Sequence, residues 1–496
     1  MSILLKADTV NEALPVAVAV LKDQGYLEDS RNGSAVVMPG TLITDYLHPQ
    51  FRVLFNEARD ANPFFHLFEA MWMLAGRRDL KFVASFAANM KSFSVDGETL
   101  QAAYGYRWRE HFAINWPEDG SDENFMEGER DQLAYIIRKL VEKPSSRQLV
   151  LNIWDPQTDL VDSEDNAKDR ACNLSVVFTP RPNIVQDQLF GYSLDMTVCN
   201  RSNDLIWGAY GANQVHFGFL HEVVAAAACM RQGVYTQVGA NSHLYTEELY
   251  GEKLNSAIHA PDFYRVAVSE SSFFLGTSPL INKVSAHNLY LADKPALAVS
   301  HWGWHMESYN RHGERELWYT PEQAAEAGLE QLNGQDLRSE IAEGVLHSLA
   351  LINPLLENFL EARNEHDQSL PGDMLDRLTD NVQGLNPNFK YLPTFVQLVV
   401  VPMFVAHEHN RRGNYAEACH TLCRANKKVL DLSQEASLPL SNLGDILLKF
   451  RGINENNTGL TVDWFVAGRQ WLDRRNAGKY MAQCTSDGLS DNEWNR

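Results

Sequence analysis

Between Arg147 and Gly233 the chain reads as three extended runs followed by one long helix, and this block limits the possible folds most. The runs "RQLVLNIWDP", "CNLSVVFTPRP" and "FGYSLDMTVCNR" carry the β-branched and aromatic residues of strands. "NQVHFGFLHEVVAAAACMRQG" predicts a long helix with small residues on one face. "VYTQVGANSHLYTEEL" then reads as a strand leading into a loop. Upstream, "PFFHLFEAMWMLAGRRD" is a helix that opens with Pro63 behind Asn62 and closes at Gly76, and it holds Glu69 among Phe, Met, Trp and Leu. A second helix, "ERDQLAYIIRKLVEK", is stopped by Pro144. Strands alternating with helices from Gly40 to about Ser300 predict an α+β fold.

From about Leu337 the character changes. "LRSEIAEGVLHSLALINPLLENFLEARNEH", the long run ending "ANKKVLDL" and "TVDWFVAGRQWLDRRN" all have helical spacing. The predicted division is an α+β unit over 1–300, a connecting insertion over 301–336, a helical region over 337–485 and a solvated tail over 486–496. A length of 496 residues fits two or three domains. The net charge of −21 makes the chain a poor non-specific binder of nucleic acid or anionic membrane, so an anionic small substrate needs a local basic site. The start has no signal-peptide pattern, and the longest apolar run, "LVVVPMFVA", is too short to span a membrane. Six cysteines without a CxxC suggest reduced thiols in a cytosol. "AHEHNRRG" and "SHWGWHME" lack an HExxH pattern and a third ligand, so no metal is expected.

The segment "VCNRSNDLIWGAYGANQVHF" crowds Arg201, Ser202, Asp204 and Asn213 just before and at the start of the small-residue helix. Singly, each has a plain structural reading. Arg201 and Asp204 read as a surface ion pair and Asn213 as a helix N-cap. Cys172 reads as a small buried hydrophobe. Their order along the chain resembles the thymidylate synthase family, in which a cysteine nucleophile on a strand is followed by "RSxD", an Asn at a helix start, and an "HxY" about thirty residues later. Here these are Cys172, "RSND" at 201–204, Asn213 and the pair His243 and Tyr245 in "SHLY". Upstream, "HLFEAMWMLAG" is similar to the family's glutamate helix and matches Glu69, and "AAYGYRW" is similar to "YGxxWR" and matches Tyr104. "KPSSRQLVLNIWDP" resembles "xPxSRRxxxxxWNP" and matches Arg147. The resemblance covers about residues 35–260.

The resemblance implies a thymidylate synthase-like mixed sheet with helices, and Cys172 as the nucleophile that adds to C6 of a pyrimidine nucleotide. It implies 5,10-methylenetetrahydrofolate as co-substrate. Arg201, Ser202 and a partner subunit's Arg147 would hold the phosphate, which makes the protein a homodimer. His243 and Tyr245 would hold the ribose, Glu69 would move protons at the base beside Tyr104, Asp204 would hold the pterin, and Asn213 would read the base. Departures narrow this. Ala171-Cys172-Asn173 stands for "PCH", Asn200 for a glutamine, Gln148 for a second arginine, and "GAYGAN" is one residue longer than "GLPFN". The family's N-terminal phosphate-loop arginine has no match here, and Arg31, poorly aligned with it, is only a candidate substitute. "FVASFAANMKSF" lacks the tryptophan that packs by the folate, and the chain runs on where synthases end in a short closing tail. Both losses admit water to the methylene intermediate. The expectation is therefore a phage-type deoxyuridylate hydroxymethyltransferase acting in the cytoplasm (the host's, if phage-encoded), with no direct nucleic-acid or membrane partner. The alternatives are a deoxycytidylate hydroxymethylase, an atypical thymidylate synthase and an inactive homologue serving as a scaffold.

Overall fold

The computed structural model describes residues 2–250 except 31–32, 57–58, 113–130, 161–168, 186–187 and 229, followed by 307–309, 315–317, parts of 339–364, 399–437 and 458–476. Among the described residues of the first 250, ten strands are present: β1 (Ile3–Ala7), β2 (Tyr26–Ser30), β3 (Gly33–Val37), β4 (Leu42–Tyr46), β5 (Val150–Asn152), β6 (Asn173–Val185), β7 (Gln188–Asn200), β8 (Asn203–Asp204), β9 (Arg231–Gly239) and β10 (Ser242–Tyr245). The principal sheet has the order β1-β4-β9-β7-β6-β5, and a smaller one has the order β2-β3-β10-β8. β1 is parallel to β4 and β9 to β7, while the other neighbours in the large sheet are antiparallel, so the sheet is mixed.

Alternation sorts the residues of the large sheet. Leu194, Met196 and Val198 on β7, Val176 and Phe178 on β6, and Tyr46 on β4 are buried in the core. The register brings Leu4, Ile43, Val238 and Cys199 together on the opposite face, with Val177 and Val150 beside them. On that face Leu4 is 56% and Val150 46% exposed, and the rest are half-buried. Among the described residues this face has no covering layer.

Among the described residues the longer helices are α1 (Val10–Gln24), α2 (Pro63–Leu74), α3 (Leu80–Phe86), α4 (Gln132–Glu142), α5 (Asn213–Ala227), α6 (Ile352–Asn364), α7 (Val401–Arg411), α8 (Tyr415–Ser437) and α9 (Thr458–Asn476). The Asn62 side chain accepts from the Phe65 N–H, Pro63 sits at the first helical position, and Gly76 takes a left-handed φ of 71° just past the end. Every residue of α2 except Phe65 is buried. A helix apolar all round needs cover on all sides. α5 supplies one side, and the C-terminal helices supply the other. Phe68 meets Phe404 of α7 edge-on at 6.0 Å and Phe359 of α6 at 5.8 Å, and Phe64 meets Trp471 of α9 at 5.6 Å. One continuous apolar cluster therefore runs from the sheet through α2 into the C-terminal helices. The expected boundaries at 300, 336 and 485 fall outside the described residues, as do the tail over 486–496, most of 301–336 and "SHWGWHME" but for Glu307.

Three local readings change. The strand expected from "VYTQVGANSHLY" breaks after Gly239, where a Cβ would come within 2.2 Å of Ser242 Oγ, and its second half joins the smaller sheet as β10. The turn expected after "RSND" is a wide helical stretch, Leu205–Ala212, capped by Asp204 and kinked at Gly211. The strand expected over 147–156 is only β5, because the Ile153 and Trp154 N–H groups both turn onto the Leu174 carbonyl and Asp155 caps a new helical turn.

Candidate active site

Cys172 is the last residue before β6. Its backbone N–H donates to the Tyr104 hydroxyl at 3.4 Å and its carbonyl accepts from the Arg201 N–H at 2.9 Å. The thiol is half-buried, 3.9 Å from the Arg170 carbonyl. Arg201 turns back over this loop, donating from Nε to the Ala171 carbonyl at 2.9 Å and from a terminal nitrogen to the Arg170 carbonyl at 3.5 Å. Its guanidinium lies 5.4 Å from the centre of the Trp154 ring. Burial, with Cys172 beside it, pushes the Tyr104 hydroxyl well up, so it stays protonated at neutral pH.

Behind the loop, two departures from the expected motifs meet. Asn173 donates from Nδ2 to Asn200 Oδ1, and Asn200 donates to the Val238 carbonyl at 3.0 Å. Both side chains are buried at facing positions of β6 and β7. The pair ties the cysteine loop to the start of "RSND" without the histidine and glutamine of the family pattern. A second cysteine, Cys199, stands just before Asn200 and lies on the uncovered face of the large sheet.

β8 then pairs in parallel with β10, setting Asn203 opposite Ser242 and Asp204 opposite His243. That pairing joins "RSND" at 201–204 to "SHLY" at 242–245. Ser202, His243 and Tyr245 are half-buried, and the two rings of the latter pair meet edge-on at 5.5 Å. Burial lowers the His243 pKa, so its imidazole is neutral at physiological pH. Asp204 Oδ1 accepts the Ile206 and Trp207 N–H groups at 2.9 and 2.6 Å, a capping role that also fixes its carboxylate.

Asn213 opens α5 and is buried, with its Nδ2 on Asn203 Oδ1 at 3.2 Å. One turn later His216 places Nε2 3.1 Å from Glu69 Oε2, both within the core. The next residue, Phe217, lies 6.2 Å from the Tyr104 ring and links the Glu69 side of the site to the Cys172 side. Arg147 is exposed on the segment entering β5, the edge strand of the large sheet. Arg31 lies outside the described residues.

Three contributors escaped the reading of the sequence: His216 beside Glu69, Asn203 beside Asn213, and Trp154 under Arg201. Asn203 and His216 stand inside the segment that drew attention, Asn203 between Ser202 and Asp204 and His216 three residues after Asn213, and that placement was the available signal.

The thymidylate synthase family model matches residues 50–268. A deoxyuridylate hydroxymethyltransferase of Pseudomonas phage M6 is 43% identical over 283 residues, which are 55% of this chain and 73% of that protein. A protein of the same name from Bacillus phage SP01 is 35% identical over 217 residues, 44% of this chain and 52% of that protein. The crystal structure of thymidylate synthase from T4 phage aligns with a TM-score of 0.37 at 17% identity, covering 51% of this chain and 81% of that one.

Proposed function

The chain belongs to the thymidylate synthase family, and we propose that it transfers a one-carbon unit from methylenetetrahydrofolate to C5 of deoxyuridylate, with water completing the product as 5-hydroxymethyl-dUMP. The Cys172 thiolate adds to C6, and C5 becomes nucleophilic and bonds to the folate's methylene carbon. C5 then loses its proton and tetrahydrofolate departs, leaving an exocyclic methylene. Water adds to that carbon, and the C6–S bond breaks to return the thiolate.

The observation that carries this reading is the seating of Cys172 between the Tyr104 hydroxyl and the Arg201 loop. Arg201 uses Nε and one terminal nitrogen on that loop, which leaves donors of its fork for a phosphate, with the Ser202 hydroxyl next in the chain. Glu69, held beside His216, serves proton transfer at the base. Asn213 reads uracil, its amide donating to O4 and accepting from N3–H. His243 and Tyr245 serve the ribose, and Asp204 serves the pterin. The exposed Arg147 and the uncovered sheet face support a homodimer in which each Arg147 reaches the other subunit's phosphate. The relatives named for deoxyuridylate hydroxymethylation favour water over hydride as the last reactant.

Turnover of deoxyuridylate with methylenetetrahydrofolate tests the reading. Cys172→Ala should form neither product nor covalent nucleotide adduct while melting like the wild type. Glu69→Gln should bind nucleotide and lose turnover. A Cys172→Ala protein with near-normal turnover would remove the mechanism.

A further inference from the structure

Three buried amides stand in a row behind the base-reading position. Asn213 Nδ2 donates to Asn203 Oδ1 at 3.2 Å, and Asn203 Nδ2 donates to Gln237 Oε1 at 3.3 Å. Gln237 Nε2 donates to the Ala209 carbonyl at 3.2 Å, and the Tyr235 hydroxyl donates to Gln237 Oε1 at 3.4 Å. Asn203, Asn213 and Gln237 are 4%, 7% and 3% exposed, so water does not offer them a ready alternative.

The direction of this row is fixed from its far end. A backbone carbonyl only accepts, so Gln237 must turn its NH2 to Ala209 and its oxygen to Asn203. The Tyr235 hydroxyl, kept protonated by burial, donates to the same oxygen and reinforces that choice. Asn203 must then offer its NH2 to Gln237 and its oxygen to Asn213. Turning any one amide over would set oxygen against oxygen or NH2 against NH2. The seat is also tight, because a Cβ at Gly208 would lie 2.4 Å from Asn203 Oδ1.

We propose that Asn203 is a positioning residue that fixes which way the Asn213 amide faces, and thereby sets the preference for uracil over cytosine. The inference rests on the reading of Asn213 as the base reader. With one Asn213 N–H held by Asn203, the remaining N–H and Oδ1 form the edge that meets the base. That edge offers a donor to O4 and an acceptor to N3–H, which is the uracil pattern. An amide free to turn over offers the reverse order, which suits the amino group and bare N3 of cytosine. The specificity lies one residue behind the side chain that touches the base.

The test is the ratio of kcat/KM for deoxyuridylate to that for deoxycytidylate, a quantity that a merely structural residue does not move. Asn203→Leu removes the lock at similar volume, and the ratio should fall about fivefold to a hundredfold. Asn203→Asp loses the donor to Gln237, but either carboxylate oxygen can only accept from Asn213, so it should retain most of the ratio. Gln237→Met breaks the row one residue further from the base and should lower the ratio too, which carries the test if Asn203→Leu does not fold. Asn213→Ala separates the two levels. If it leaves the ratio unchanged, Asn213 does not read the base and the underlying reading fails. If it collapses the ratio while Asn203→Leu and Gln237→Met keep it at the wild-type value, the base reading stands and the positioning role of Asn203 is overturned.

Discussion

His221 should make the fold sensitive to mild acid, and its share can be worked out. It lies on α5 with no exposed surface, and its Nε2–H donates to the Leu194 carbonyl at 2.5 Å. Its Nδ1 is buried with no hydrogen-bond partner among the described residues. A proton added there would be a charge without solvation. Burial therefore lowers the pKa, Leu194 and Asp195 oppose it, Arg52 adds to it, and the result is about 4 against an ordinary 6.5. The folded pKa lies below the unfolded one, so the unfolded chain takes up the proton first as pH falls. The stability present above pH 6.5 is then lost progressively down to about 4. At about 1.4 kcal/mol per unit, that window is worth about 3 kcal/mol. The assay is urea unfolding at several pH values between 7 and about 4, wild type against His221→Gln, which keeps an N–H donor for Leu194. His66 and His407 are also held neutral by burial, but they contribute equally to both proteins. The wild type should lose up to about 1.4 kcal/mol more per pH unit than the variant in this window. Parallel stability curves would refute the reasoning.

Glu408 acts in the next window down. Burial raises its pKa, but His407, Arg363 and Arg411 outweigh that and hold it at about 2. Its stabilisation is complete above about pH 4.5 and lost as pH falls toward 2, so a Glu408→Gln protein should be about 3 kcal/mol less stable at neutral pH, with the gap closing below pH 4.5; a constant gap contradicts this. Phe404→Ala removes the ring stacked on Phe359 at 4.1 Å and set against Phe68 of α2, and should cost about 3–5 kcal/mol in a single unfolding transition shared by both halves. If calorimetry shows the N-terminal half melting unchanged, the shared core is not cooperative. Arg147→Ala should raise KM for nucleotide with little change in kcat, and the wild type should be a dimer by solution scattering. A monomer, or an unaltered KM, removes the trans role of Arg147.

Much of the site could be read from residue order, because the chemistry needs particular side chains at points where strands end and helices begin. Cys172 before β6, Arg201 after β7 and Asn213 at the start of α5 all occupy such points. The ends of α2 were legible for the same reason, since Asn62, Pro63 and Gly76 act locally. What covers α2 was not. A helix apolar on every side states that it is buried, but the partners Phe359, Phe404 and Trp471 come from nearly three hundred residues and more away. The Glu69–His216 and Asn203–Gln237 contacts are likewise pairings between elements, and neither His nor Asn declares its partner from its own position. The Asn173–Asn200 bond is the plainest such pairing. Two substitutions that read separately as departures from a pattern are one interaction across β6 and β7.

The most direct test of the proposed reaction follows the oxygen. Purified protein is incubated with deoxyuridylate and methylenetetrahydrofolate in ¹⁸O-labelled water, and the nucleotide and folate products are weighed by mass spectrometry. Water addition to a Cys172-bound methylene predicts 5-hydroxymethyl-dUMP carrying ¹⁸O in its hydroxymethyl group, tetrahydrofolate as the folate product, and no product from Cys172→Ala. Thymidylate with dihydrofolate, or deoxyuridylate recovered unchanged from the wild type, would contradict it.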